Sequence, residues 1–160
     1  MTDVDLVVDF LNTVNHETDA DVLDDPAAWQ AWLAERGLAD GSETHETRAV
    51  RSALRAAVGD PSPPGPASAR VTVELAGGIP TFVATNVVGA VLAASARLAV
   101  LGQWARVKIC PADDCRWAFY DLSRNHSRTW CSMQVCGNRE KARAWRGRRS
   151  DDELGDRVDQ

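Results

Sequence analysis

Residues 110–139 read CPADDCRWAFYDLSRNHSRTWCSMQVCGNR, and this stretch holds all four cysteines of a 160-residue chain. Cys110, Cys115, Cys131 and Cys136 are spaced C-x4-C-x15-C-x4-C. Two short cysteine pairs at such a separation can deliver four thiolates from two loops into one tetrahedral shell, the ligand set zinc favours. The x4 spacing is looser than the usual C-x2-C, so spacing alone leaves two disulfides or free thiols as alternatives. Asp3, Asp5 and Asp9 stand at the amino end, where a secretory leader would need positive charge, so a cytoplasmic location is expected. A reducing compartment disfavours disulfides. Four thiolates fill a tetrahedral site and leave no place for water, so one structural zinc ion is expected and catalysis at the metal is not. His126 lies between the pairs, but four cysteines already complete the shell, and a surface or phosphate-contact role suits it better.

Within the same stretch, WAFY at 117–120 and RTW at 128–130 predict two short strands joined by a turn rich in Asn and Ser. Trp117, Tyr120 and Trp130 are expected in the core of so small a unit. Gly137 and Asn138 suit a backbone turning near the metal, and residues 140–149 are good helix formers apart from Gly147. The order knuckle, hairpin, helix is that of a treble-clef finger.

Charge divides the chain at the same place as chemistry. Residues 1–105 carry 6 Lys and Arg against 14 Asp and Glu, residues 106–149 carry 11 against 4, and residues 150–160 carry 1 against 5. The net charge of -5 hides this asymmetry. On the last helix Arg139, Arg143 and Arg146 fall at i, i+4 and i+7, with Lys141 and Arg148 on another face. Such stripes match phosphates, and Arg124, Arg128 and Arg149 extend the basic set, so DNA is the expected partner. Ala142 and Trp145 are expected to pack on the finger.

Upstream, Leu6, Val7, Phe10, Leu11 and Val14 recur at helical spacing, and Asp25-Pro26 with Gly37 bounds a second helix bearing Trp29, Trp32 and Leu33. Val50, Leu54 and Val58 mark a third helix, with Arg48, Arg51 and Arg55 on other or flanking positions. GDPSPPGPASA at 59–69 cannot continue a helix and reads as a loop. Alternation around Gly77-Gly78 predicts a β-hairpin, Pro80 marking an edge strand. Asn86 can then cap a long apolar helix leading toward Cys110. Residues 87–105 are nearly long enough to span a bilayer, but Arg97 at their middle favours a buried core helix.

The motifs WCSM at 130–133 and CGNR at 136–139, with FYDLSRNHSRTW before them, resemble the CGNR zinc finger across about residues 107–149. LVVDFLNTV and LDDPAAWQAWLAERGL more weakly resemble the ABATE domain that usually precedes this finger. The resemblance implies a stress-induced transcription regulator that binds DNA. The fold expected is α+β: a mainly helical domain with a β-hairpin over residues 1–105, a treble-clef-like finger over 106–149 and a flexible acidic tail over 150–160. Here the short Pro-rich segment replaces helix that the family usually has before the hairpin.

Three functions follow from these residues. A DNA-binding regulator is preferred; a protein-interaction adaptor and an enzyme sited in the amino-terminal part are the alternatives. His16 and His45 have no identifiable nucleophile partner, and Asp24-Asp25 and Asp113-Asp114 are adjacent rather than facing, so no enzyme is expected. A homo-oligomer interface on the long helix is a weaker expectation.

Overall fold

Thr2 starts the first helix with a reciprocal capping box. In a computed structural model describing residues 1–155 except 62 and 64, and side chains as far as Arg146, its hydroxyl accepts from the Asp5 amide at 3.1 Å while its own amide donates to the Asp5 carboxylate at 2.9 Å. This helix, α1 (Asp3–Leu11), buries Leu6, Val7, Phe10 and Leu11. Two-residue strands β1 (Val14–Asn15) and β2 (Ala20–Asp21) pair antiparallel behind it. Helix α2 (Pro26–Arg36) begins on the Asp25 carboxylate and ends at Gly37, whose φ of 63° is left-handed. Helix α3 (Thr44–Ala57) precedes the Pro-rich loop, and the hairpin β3 (Thr72–Ala76) and β4 (Ile79–Val83) turns at Gly77-Gly78. Asn86 caps α4 (Val87–Val100) through the Gly89 amide at 2.8 Å.

A 3-10 turn (Trp104–Arg106) leads into β5 (Val107–Ile109), which pairs antiparallel with β6 (Ala118–Tyr120) around the first cysteine pair. A π-type turn (Met133–Gly137) follows the third cysteine, and α5 (Asn138–Gly155) closes the described chain. The architecture is α+β, as expected. The helix α5 extends into the segment expected to be a flexible tail; residues 156–160 lie outside the described residues.

The main core forms where α1 packs on α4, with α3 across both. Val7, Phe10 and Leu11 meet Val87, Val91 and Leu98 there, and Trp29 stacks on Trp32 at 5.0 Å between ring centroids. Arg97 lies on α4 as a surface cation held by Asp3 at 2.5 and 2.8 Å. No helix among the described residues is long and apolar enough to cross a membrane.

Four expectations need correction. The β3–β4 hairpin lies outside the core, with all ten residues exposed, so its alternation does not mark a buried face. The long helix does not run to Cys110, because β5 intervenes. Residues 128–130 form no strand, and β6 takes β5 as its partner instead. Arg51 and Arg55 are buried rather than flanking.

The last correction explains how β5 and β6 are held. Val107, Ile109 and Ala118 belong to the main core, and the Asn12 side-chain amide donates to the Ala118 carbonyl at 2.9 Å while accepting from its amide at 2.8 Å. Arg55 donates to Asp60 at 2.7 and 3.0 Å, to the Leu11 carbonyl at 2.8 Å and to the Arg116 carbonyl at 2.7 Å. Arg116 donates to the other oxygen of Asp60. A chain ending after Ala105 would leave Arg55 and Asp60 without this partner. It would also lose Val107, Ile109 and Ala118 from the core, so it should be less stable than one ending after Leu122 by about 3 kcal/mol or more and unfold at a lower temperature. Thermal unfolding followed by circular dichroism compares the two, and equal midpoints would show that the amino-terminal part needs neither strand.

Candidate metal centre

Cys110 follows β5 directly, and its amide donates to the Trp117 carbonyl at 2.9 Å, which folds residues 110–117 into a knuckle. The Cys115 and Arg116 amides both donate to Ala112, at 2.9 and 3.1 Å, and Arg116 adopts a left-handed φ of 51° to release the chain into β6. The second pair is set differently. Ser132 caps the turn after Cys131 by accepting from the Val135 amide at 3.3 Å, and Cys136 ends up on that turn's inner side.

All four Sγ atoms lie within 4.8 Å of one another. Cys115 and Cys136 stand 3.5 and 3.6 Å from Cys131, close to the separation of about 3.8 Å that Zn–S bonds of about 2.3 Å impose at a tetrahedron's corners. A disulfide would need about 2.05 Å. Cys110 and Cys136 are closed off from solvent, while Cys131 is partly exposed. The four cysteines are thus positioned to hold one metal ion, and their chemistry fits a single structural zinc.

Each residue of CGNR has a local task. Cys136 supplies a ligand atom. A Cβ on Gly137 would come within 3.1 Å of Trp130 Cδ1 and closer still to the Met133 sulfur, so a side chain there would press on Trp130 and displace the end of Met133. The Asn138 amide donates to the Gln134 carbonyl at 3.1 Å, tying the turn to the start of α5. Arg139 approaches Cys136 Sγ at 3.6 Å and Asp114 at 3.2 Å, with Glu17 of the β1–β2 turn at 3.9 Å. A guanidinium facing a ligating sulfur and held by carboxylates is an outer-shell support for the metal. Arg143 reaches the same Asp114 at 2.8 Å, so α5 is clamped onto the first knuckle. Arg143 and Arg139 together hold the Asp114 carboxyl below its usual range against the opposing effect of burial.

Asp121 organises the intervening loop. It is fully buried and accepts from Lys108 Nζ at 2.6 Å, from the Ser123 amide at 2.8 Å and from the Arg128 amide at 3.0 Å. Burial opposes its ionisation, yet Lys108 and Ser123 outweigh that and hold it well below the ordinary carboxylate range. Lys108 also donates to the His126 carbonyl at 2.6 Å, and His126 takes a left-handed φ of 52°. Its ring stays outside the metal cluster.

The basic residues expected to meet DNA differ in their partners. Arg128 is exposed but bent back along the chain, donating to the Trp130 carbonyl at 2.8 Å and lying 4.9 Å over the Phe119 ring. Arg139 belongs to the metal centre. Arg124, Lys141, Arg143 and Arg146 are exposed, while the side chains of Arg148 and Arg149 lie outside the described residues. Ala142 and Trp145 do not pack inward as expected; both are exposed, Trp145 by 54%. Trp117 is 39% exposed, whereas Trp130 packs against the cysteine cluster and Tyr120 against the main core.

A hairpin-bound knuckle and a turn-and-helix sharing four thiolates define a zinc finger seated on a helical domain. The CGNR zinc finger family matches residues 106–149, and the ABATE family, described as "Putative stress-induced transcription regulator", matches residues 4–115. The second match covers well over half of the chain, which therefore belongs to the ABATE family. Both matches include β5 and the first cysteine pair. No curated protein and no solved structure matches the chain.

Burial lifts the Cys115 thiol to about 11, and burial with the neighbouring thiols lifts Cys131 further. At Cys110 burial acts the same way, but hydrogen bonds from the backbone at Cys131 and Ala112 outweigh it and leave that thiol below the ordinary value. Zinc must displace the protons that remain, so its affinity falls as pH falls, by about tenfold per pH unit for each proton released. Competition with a chromophoric chelator at pH 8 and pH 6 should show this loss, and an affinity independent of pH would mean that the thiolates exist beforehand. Cys131→Ser should abolish zinc binding, and Arg139→Gln should weaken it by about 10- to 100-fold with the four thiols intact.

Proposed function

We propose that this regulator binds duplex DNA through its finger, with Lys141, Arg143 and Arg146 on α5 and Arg124 in the loop as phosphate contacts. The observation that carries this reading is the exposure of these four cations around a metal centre whose four-thiolate shell offers structure rather than chemistry. Arg143 is held by Asp114 and Glu140 at the surface, and a phosphate can take their place at little net cost because exposed ion pairs gain little. Arg139 and Arg128 act instead as positioning residues. Arg148 and Arg149 extend the proposed basic surface by sequence.

The amino-terminal helices carry the signal in this reading, and the finger carries the contact. Each phosphate neutralised releases counterions, so affinity falls with salt in proportion to the number of contacts. Duplex affinity measured by fluorescence anisotropy at two salt concentrations should drop for Arg143→Ala with Arg146→Ala, and the salt slope should shrink by about two units. Zinc content should stay at one per chain. Unchanged affinity and slope in a zinc-loaded variant would remove α5 as the binding face. Failure of the wild type to bind any duplex from an unbiased pool at low salt would favour the adaptor, for which the exposed Met133, Val135 and Trp145 offer an apolar surface on the finger.

A further inference from the structure

Helix α3 lines one side of a small cavity with Arg51, Ser52 and Arg55, and β1 with the turn after it lines the other with Val14 and His16. Its volume is about 100 Å³, room for a few waters or one small tetrahedral anion. The two guanidinium groups in its wall are only 6% and 5% exposed. An arginine has five N–H donors. Arg51 gives both Nη1 hydrogens to Thr13 and Asp21, each at 2.8 Å, and one Nη2 hydrogen to Asp21 at 2.5 Å. Its Nε–H and second Nη2–H have no partner among the described residues. Arg55 uses Nε–H, both Nη2 hydrogens and one Nη1 hydrogen on Asp60, Arg116 and Leu11, leaving one Nη1–H.

Charge points the same way as the donor count. Arg48, Arg51, Arg55 and Arg116 gather here on three carboxylates, Asp21, Asp24 and Asp60. His16 lies in the field of these groups: burial lowers its pKa, and Arg116, Arg55 and Arg51 lower it further against the opposing effect of Asp60. Unused N–H donors on two buried guanidinium groups that line a cavity suit an oxyanion, which accepts several N–H bonds at once.

We propose that the cavity formed by His16, Arg51, Ser52 and Arg55 binds a small tetrahedral oxyanion, either free phosphate or sulfate or the phosphoryl end of a phosphomonoester. The site is separate from the proposed DNA-contacting face and does not depend on it. It is coupled to the finger through known bonds, because Arg55 in its wall, and Asp60 paired with Arg55 behind it, also hold Arg116, the neighbour of Cys115. An anion that restrains Arg55 therefore also restrains the seat of the first knuckle.

The full-length, zinc-loaded protein tests this by titration with inorganic phosphate, sulfate and glycerol phosphate, with ionic strength matched by chloride. The His16 ring resonances and the thermal midpoint are the readouts. The expected result is a saturable shift of His16 with a raised midpoint, and a rise in the His16 pKa when the site is filled. Saturation by inorganic phosphate or sulfate identifies a free anion as sufficient; saturation by glycerol phosphate alone identifies a phosphomonoester. Ser52→Asp, an exposed helix position, sets a carboxylate at the rim and should weaken binding by about tenfold or more. Arg143→Ala, on the finger, should leave it unchanged. His16→Gln should fold and lose part of the thermal gain. Resonances of His16 that ignore all three anions, or Ser52→Asp with wild-type affinity, would overturn the proposal.

Discussion

Arg55 and Asp60 are closed off from solvent, and neither charge could stay there without the other. Removing one partner of a buried pair costs about 3–5 kcal/mol, much of it the penalty on the charge left behind. Arg55 does more than answer Asp60, since its remaining donors fix the end of α1 at Leu11 and the knuckle at Arg116. Arg51, one turn earlier, does the same for Thr13 and Asp21 at the β1–β2 hairpin. Two arginines four residues apart on one helix thus gather the first helix, the small hairpin and the metal knuckle around α3. The position of β5 and β6 in the main core follows from this arrangement, and so does the overlap of two family matches on one short strand.

The second half of the finger depends on a different balance. The π-type turn and α5 are tied to the rest of the chain mainly through Cys131 and Cys136, the Asp114 clamp and a long contact from Arg139 to Glu17. Exposed ion pairs hold such a segment weakly. The metal therefore supplies the strong link, and the clamp supplies direction. Arg139 joins the two, because it faces both the Cys136 sulfur and Asp114. That position gives Arg139 of the CGNR motif a place beside the metal centre.

Local chemistry made some elements legible. Asp25-Pro26, Gly37, Gly77-Gly78 and Asn86 mark boundaries through hydrogen bonds and φ values that depend only on near neighbours. The four cysteines were legible for the same reason, as ligand type and spacing carry their own geometry. The burial of Arg51 and Arg55 was not, because an apolar pattern treats any charge as solvent-facing and the partners Asp21 and Asp60 come from other parts of the chain. Strand β5 was hidden by being three residues long, too short for alternation to register. RTW at 128–130 has strand-forming residues, but Asp121 accepts from the Arg128 amide, and the Arg128 guanidinium turns over Phe119, so a tertiary contact overrides local preference.

The same reasoning sorts the basic residues of the finger. A positive charge serves a phosphate only if its existing bonds are weaker than those the phosphate offers. Arg128 holds backbone carbonyls and an aromatic face, and Arg139 faces the Cys136 sulfur, so removing either from its place would disturb the shape that presents the others. Arg143 holds two carboxylates at the surface, where water and salt already compete with them. A run of arginines that looks uniform in sequence is therefore divided by its partners into residues held by the finger's own backbone, ring and sulfur atoms and residues held at the surface, where the proposed phosphate contacts lie. From the acidic amino-terminal part Glu17 joins that division, through a long contact to Arg139.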